Sequence, residues 1–120
     1  MFDRFVVVDW SAHSTPKRGR DSIWIAVRDH NGTTVSNPST RAEAEWILID
    51  LLENDERTLL GVDFSLGYPM GTGAALGLSG VPWRATWELL HDLVVDREDN
   101  SNNRFAVASA LNRRAGTQRP

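Results

Sequence analysis

RFVVVD, residues 4–9, and TLLGVD, residues 58–63, decide the fold. Each is a short apolar run that ends on an aspartate and reads as a buried strand, the first apolar on both faces and so buried within a sheet. Ser22–Arg28, SIWIAVR, is β-rich and alternates with period two. Asp29-His30-Asn31-Gly32 is a turn signal, because Asn and Gly accept positive φ at low cost. Thr33–Val35 then returns as the second arm of a hairpin, which Asn37-Pro38 ends. Ser39 or Thr40 opens a helix, and Thr40 with Glu43 makes a capping box. Ala44, Ile47, Leu48, Leu51 and Leu52 share its inner face, while Arg41 and Glu45 form an i,i+4 pair on the wet face. The helix ends near Asn54-Asp55. A right-handed crossover through it lays the second aspartate-ended strand parallel to the first.

The remainder is less patterned. Gly67–Gly80 is glycine-rich without a clear period. Pro82 suits the first turn of a helix whose inner face is Trp83, Trp87, Leu90 and Val94. Phe105, Ala108 and Leu111 mark a final helix, and Arg113–Pro120 reads as frayed. The order is strand, strand, strand, helix, strand, then helices, which predicts an α/β mixed sheet in a single domain spanning 1–120.

Composition narrows the chemistry. The 120 residues are 41% hydrophobic and 24% charged, as in ordinary globular domains. Cysteine is absent, so disulfides, thiolate catalysis and cysteine-built zinc sites are excluded. No segment is apolar for long enough to span a bilayer, and MFDRFVVVDW does not read as a signal peptide. These features predict a cytoplasmic protein with no membrane partner. The net charge of −3 argues against a wholly basic nucleic-acid binder. Lys17 is the single lysine among 13 basic residues.

If the two aspartate-ended strands are parallel neighbours, Asp9 and Asp63 emerge together at their carboxyl ends, where α/β sheets bind ligands. Carboxylates that close repel unless a proton or a cation sits between them. A hard divalent ion with oxygen ligands, Mg²⁺ or Mn²⁺, suits the pair. Each acid is followed by an aromatic and a hydroxyl, Asp9-Trp10-Ser11 and Asp63-Phe64-Ser65. Ser11 and Ser65 are therefore candidates for holding water or a phosphate oxygen, or else simply begin turns. Glu43 is a candidate third acid, with the capping box as its plainer role. Glu45, Asp21, Asp92 and Asp96 are weaker alternatives. Lys17, Arg18 and Arg20 place three cations in five residues near Asp9 and read as a phosphate clamp or a solvated loop. Gly67–Gly73 lacks the lysine of a P-loop.

VVDWSA, PKRGRDSIWIA, TRAEAE, GVDFSLGYP and NNRFAVASALNRR together resemble a bacterial family of uncharacterised proteins described as predicted nucleases of ribonuclease H-like fold. Some of its members carry cobalamin or molybdopterin guanine dinucleotide biosynthesis labels. The resemblance runs over nearly the whole chain, and VDWSA and GVDFSLGYP are its most specific parts. It implies a ribonuclease H-like sheet, Asp9 and Asp63 as metal ligands, Glu43 near the acid of the first helix, and Tyr68 among the substrate-binding residues. Family proteins are longer, so the chain resembles their amino-terminal part. The fold is accordingly expected to be incomplete at the C-terminus, with an exposed strand edge that favours homo-oligomers. Three functions follow: a metal-dependent nuclease or phosphodiesterase acting on nucleic acid or another phosphate-containing substrate; an actin-like or sugar-kinase-like nucleotide site, disfavoured because Asp9-Trp10-Ser11 lacks a phosphate-approaching glycine; and a non-catalytic truncated module.

Overall fold

In the computed structural model, residues 1–117 are described, and they cluster into two compact units. Met1–Phe64 with Arg97–Ser101 forms the first; Ser65–Asp96 with the chain from Asn102 onward forms the second.

The first unit is a four-stranded mixed sheet with one helix. Its elements are β1 (Arg4–Asp9), β2 (Trp24–Asp29), β3 (Gly32–Ser36), α1 (Arg41–Leu52) and β4 (Thr58–Val62). Strand order is β3-β2-β1-β4. The hairpin pairs are antiparallel, and β1 and β4 are parallel with Val8 beside Val62. His30 and Asn31 form the two-residue hairpin loop; Asn31 N–H donates to Asp29 Oδ1 at 2.8 Å, and Gly32 takes φ +120°. That conformation strains any residue with a Cβ.

Period-two alternation sends Val6, Val8, Ile23 and Ile25 to one face, where Ala44 of α1 completes the buried core. Ile47, Leu48 and Leu51 pack against it as expected, but Leu52 remains exposed. Eight residues beyond Ala44, Leu52 has rotated about 80° off the buried stripe. The expectation that β1 is buried on both faces is corrected. Phe5 is 46% and Val7 61% exposed, because α1 covers only one side of the sheet. Arg41 also departs from expectation: it is buried, not solvated.

Thr40 caps α1 by accepting the Glu43 N–H at 3.1 Å, and Glu43 Oε2 accepts the Ser39 N–H at 2.8 Å. The predicted capping box thus forms, with its return bond shifted one residue outward. Glu53 closes the other end, its N–H donating to Ile49.

The second unit is helical, with α2 (Thr72–Ala75), α3 (Pro82–Leu93) and α4 (Arg104–Thr117). The glycine-rich stretch gave no sign of α2; Gly71 enters it at φ +90°. Pro82 opens α3 as expected. Its inner face is corrected, since Trp83 and Trp87 are exposed while Thr86 is buried and Leu89 and Leu90 are half-buried. Thr86 is tolerated inside because its hydroxyl donates to the Pro82 carbonyl at 2.8 Å. Helix α4 runs through Arg113 to Thr117; the rest of the segment read as frayed lies outside the described residues. Among the described residues, no helix is long and apolar enough to cross a membrane.

Burial predicts where truncation matters. Ile25→Ala is expected to cost about 2–5 kcal/mol, whereas Val7→Ala on the open face costs no more than about 0.5 kcal/mol. Urea unfolding of the two variants checks this, and equal shifts of the midpoint would place the core elsewhere.

Candidate functional site

Parallel pairing in this register carries one residue past the ladder to Asp9 and Asp63, side by side at the carboxyl ends of β1 and β4. Both continue the alternation onto the sheet face opposite α1, and both are exposed. Asp63 Oδ1 accepts the Trp10 N–H at 2.9 Å, so the carboxylate of one strand satisfies the backbone where the other leaves the sheet. The rings that follow the two acids, Trp10 and Phe64, meet edge-to-face at 5.7 Å. This pairing of aromatics adds about 0.5–1.5 kcal/mol beyond area burial and locks the two strand ends together.

The neighbouring Asp63 raises the Asp9 pKa above its ordinary value: side-chain hydrogen bonding to Asp63 is the largest cause, followed by loss of solvent and repulsion from the Asp63 charge. Between the ordinary aspartate range and the raised pKa, the folded protein binds more proton at Asp9 than the unfolded chain does. Stability falls as pH rises from the ordinary aspartate range through the raised pKa, and the charged pair is a burden at neutral pH.

The loop after β1 is held from below. The Arg41 guanidinium donates to the carbonyls of Ser11 at 3.2 Å, His13 at 2.9 Å and Asn100 at 2.6 Å. Asn100, buried and at φ +70°, accepts the Arg41 N–H at 2.7 Å and donates to the carbonyls of Thr15 and Ser39. The two side chains thus tie the loop to the start of α1. Neither stood out as functional in the sequence. Asn100 sits in a polar run, and its only signal is that Asn tolerates positive φ.

The remaining candidates are placed as follows. Ser11 Oγ donates to the Asp21 carbonyl at 3.1 Å and accepts the His13 N–H, so it organises a turn. Lys17 is half-buried, and its N–H donates to the Ser39 carbonyl at 2.8 Å. Arg18 lies 3.6 Å from Glu43 Oε1. Gly19, at φ +79°, fixes the loop by donating to Asn37 Oδ1 at 2.7 Å, and Arg20 beside it is exposed. Glu43 is engaged by Ser39, through both N–H and hydroxyl, and by Arg18. Ser65 and Tyr68 belong to the second unit, where Ser65 Oγ donates to the Gly67 carbonyl at 3.0 Å and Tyr68 is exposed. Within the first unit, the aspartates are the candidates whose acidic groups are brought together. Among the described residues, no group of three or more Asp, Glu, His or Cys side chains is placed to hold a metal ion.

Comparison of the chain with protein families, with curated proteins and with solved structures finds no match.

Two stability measurements follow from this geometry. Asp9→Asn is expected to raise the melting temperature at pH 7, with the gain shrinking as pH falls through the raised Asp9 pKa and the parent's Asp9 takes up a proton. A variant that melts lower than the parent at pH 7 would contradict the repulsion argument. Asn100→Ala is expected to destabilise by about 2–4 kcal/mol, because the buried Arg41 N–H loses its acceptor, the Thr15 and Ser39 carbonyls lose their donor, and alanine resists positive φ. Chemical denaturation checks it.

Proposed function

We propose that the Asp9–Asp63 pair is the metal-binding centre of a ribonuclease H-like phosphodiesterase acting on a nucleic acid or another phosphodiester. The observation that carries this reading is the pair itself: two exposed carboxyls side by side at the ends of adjacent parallel strands, close enough for Asp63 to raise the Asp9 pKa. Such a pair is unfavourable when both groups are charged, and a cation between them relieves the repulsion. The donor set is all oxygen, which fits Mg²⁺ or Mn²⁺ rather than a softer ion. Two protein carboxylates with water in the remaining positions is an ordinary arrangement for Mg²⁺.

When bound, such an ion supplies Lewis-acid stabilisation of the phosphoryl oxygens and acidifies a coordinated water. The chain's own residues do the rest. Asp63, fixed by the Trp10 N–H, holds one oxygen in place. A cation held by the pair would favour the ionised form of Asp9, so affinity is expected to rise with pH through the raised Asp9 pKa. Lys17, Arg18 and Arg20, on a loop anchored at Gly19, are proposed to hold substrate phosphate. Glu43 acts through Arg18, orienting the guanidinium rather than binding metal. Ser11 serves by shaping the turn that follows Asp9.

Mn²⁺ titration with a thermal-shift readout, alongside cleavage of a fluorogenic phosphodiester, tests the reading. The parent is expected to melt higher with Mn²⁺ and to cleave only in its presence. Asp9→Asn is expected to lose the shift and at least about 10²-fold in rate, more than the loss typical of a residue behind the ligands. A parent that neither binds Mn²⁺ nor cleaves, or a variant as active as the parent, would falsify it.

A further inference from the structure

The sheet face that bears the acid pair also carries a tryptophan that the proposed chemistry has not used. Trp24 opens β2 directly across from Asp9 in the antiparallel ladder, so both side chains leave the sheet on the same face. Cross-strand partners of this kind have Cβ atoms about 5 Å apart. Asp63 continues the row on the far side of Asp9. Trp24 is 39% exposed, although nothing polar on its ring needs water. Its Nε1–H donates to the Gly19 carbonyl at 3.1 Å, so the side-chain surface it shows to solvent is ring carbon. That bond also fixes the ring, because Gly19 is itself held by Asn37 Oδ1 on the loop that carries Lys17, Arg18 and Arg20. A fixed aromatic surface left in water gains free energy when a flat apolar partner covers it.

The next row inward is low. Ala26, Val7 and Gly61 lie side by side there on the same face. A Cβ added at Gly61 would have only the Val6 carbonyl oxygen within reach, at 3.9 Å. Beyond them the larger Phe5 and Leu59 form the following row, both partly exposed. The result is a shallow apolar trough with Trp24 and the acid pair along one edge.

We infer that this trough seats an unpaired nucleobase of the substrate, stacked on Trp24 and joined to the phosphate held at Asp9 and Asp63. The inference rests on the phosphodiester reading above and narrows its substrate to single-stranded nucleic acid. A base presents the uncharged aromatic face that suits a tryptophan ring, and such stacking tolerates any sequence. A duplex buries those faces in its own stack. Duplex binding also draws on many cationic contacts to phosphate, for which a chain of net charge −3 is poorly suited.

Fluorescence anisotropy on the full chain in Ca²⁺, with end-labelled strands of about eight nucleotides, tests the seat. Oligothymidylate or oligouridylate, whichever sugar the site prefers, is expected to bind at least about tenfold more tightly than its abasic counterpart and than the same strand annealed to its complement. Trp24→Leu is expected to erase the preference for bases while leaving the abasic strand within about twofold, and Trp24→Phe to keep most of it. Gly61→Val raises the floor with a β-favoured residue and is expected to weaken the base-bearing strand without lowering the melting temperature, which keeps the test open should Trp24→Leu fail to fold. An abasic strand that binds as tightly as a base-bearing one, or an undiminished preference in folded Trp24→Leu and Gly61→Val, would overturn the proposal. The Mn²⁺ thermal shift is read separately. A parent that responds to Mn²⁺ yet ignores bases loses the seat alone, and one that prefers bases without a Mn²⁺ response loses the metal centre alone. A parent dimer that takes up no strand and is broken by Val7→Lys would also overturn the seat, since a second copy would then cover this face.

Discussion

The parallel pairing of β1 with β4 is the constraint on which the site depends. Antiparallel neighbours would send the two strand ends to opposite rims of the sheet. Parallel neighbours in this register deliver Asp9 and Asp63 to one rim and one face. The cost is electrostatic, and it shows in the Asp9 pKa, which Asp63 raises above its ordinary value. The neighbouring contacts all act to hold this costly arrangement. Trp10 N–H fixes one carboxylate, and the Trp10 and Phe64 rings brace the two exits from the sheet. An acid pair kept close by a scaffold that could have separated it is a local conflict of the kind found at functional positions.

A second layer of order lies beneath the loop that follows Asp9. Loops of polar residues ordinarily leave backbone groups to water, but here Arg41 and Asn100 satisfy carbonyls at Ser11, His13, Thr15 and Ser39. Arg41 starts α1 and Asn100 arrives from a stretch nearly sixty residues later in the chain. The loop is therefore positioned by side chains distant in sequence, and the two elements it connects are not enough to define it.

That difference explains what could be read in advance. Strands, hairpin and first helix follow from local signals: alternation in SIWIAVR, the Asn31-Gly32 turn, and the Thr40–Glu43 cap. The aspartate pair was legible because register and period-two geometry are short-range rules applied to two similar strands. Arg41 was misplaced because helical spacing to Glu45 is visible in sequence while Asn100 is not. Helical spacing with Leu90 and Val94 turns Trp83 and Trp87 inward in the sequence, yet Thr86 takes the buried position because it can bond its own helix. Serines 11 and 65 matched a repeated acid–aromatic–hydroxyl pattern, but each hydroxyl is occupied by a nearby carbonyl.

The same loop carries the chain's single lysine. Arginine supplies almost every positive charge in these 120 residues, and Lys17 contributes the lone ε-amine. Its backbone is pinned to Ser39, so its stem is half-sheltered while the neighbouring arginines face outward. Acylating reagents that ignore guanidinium groups therefore find a single side-chain target, and the extent of its labelling is a direct gauge of how firmly this loop is seated.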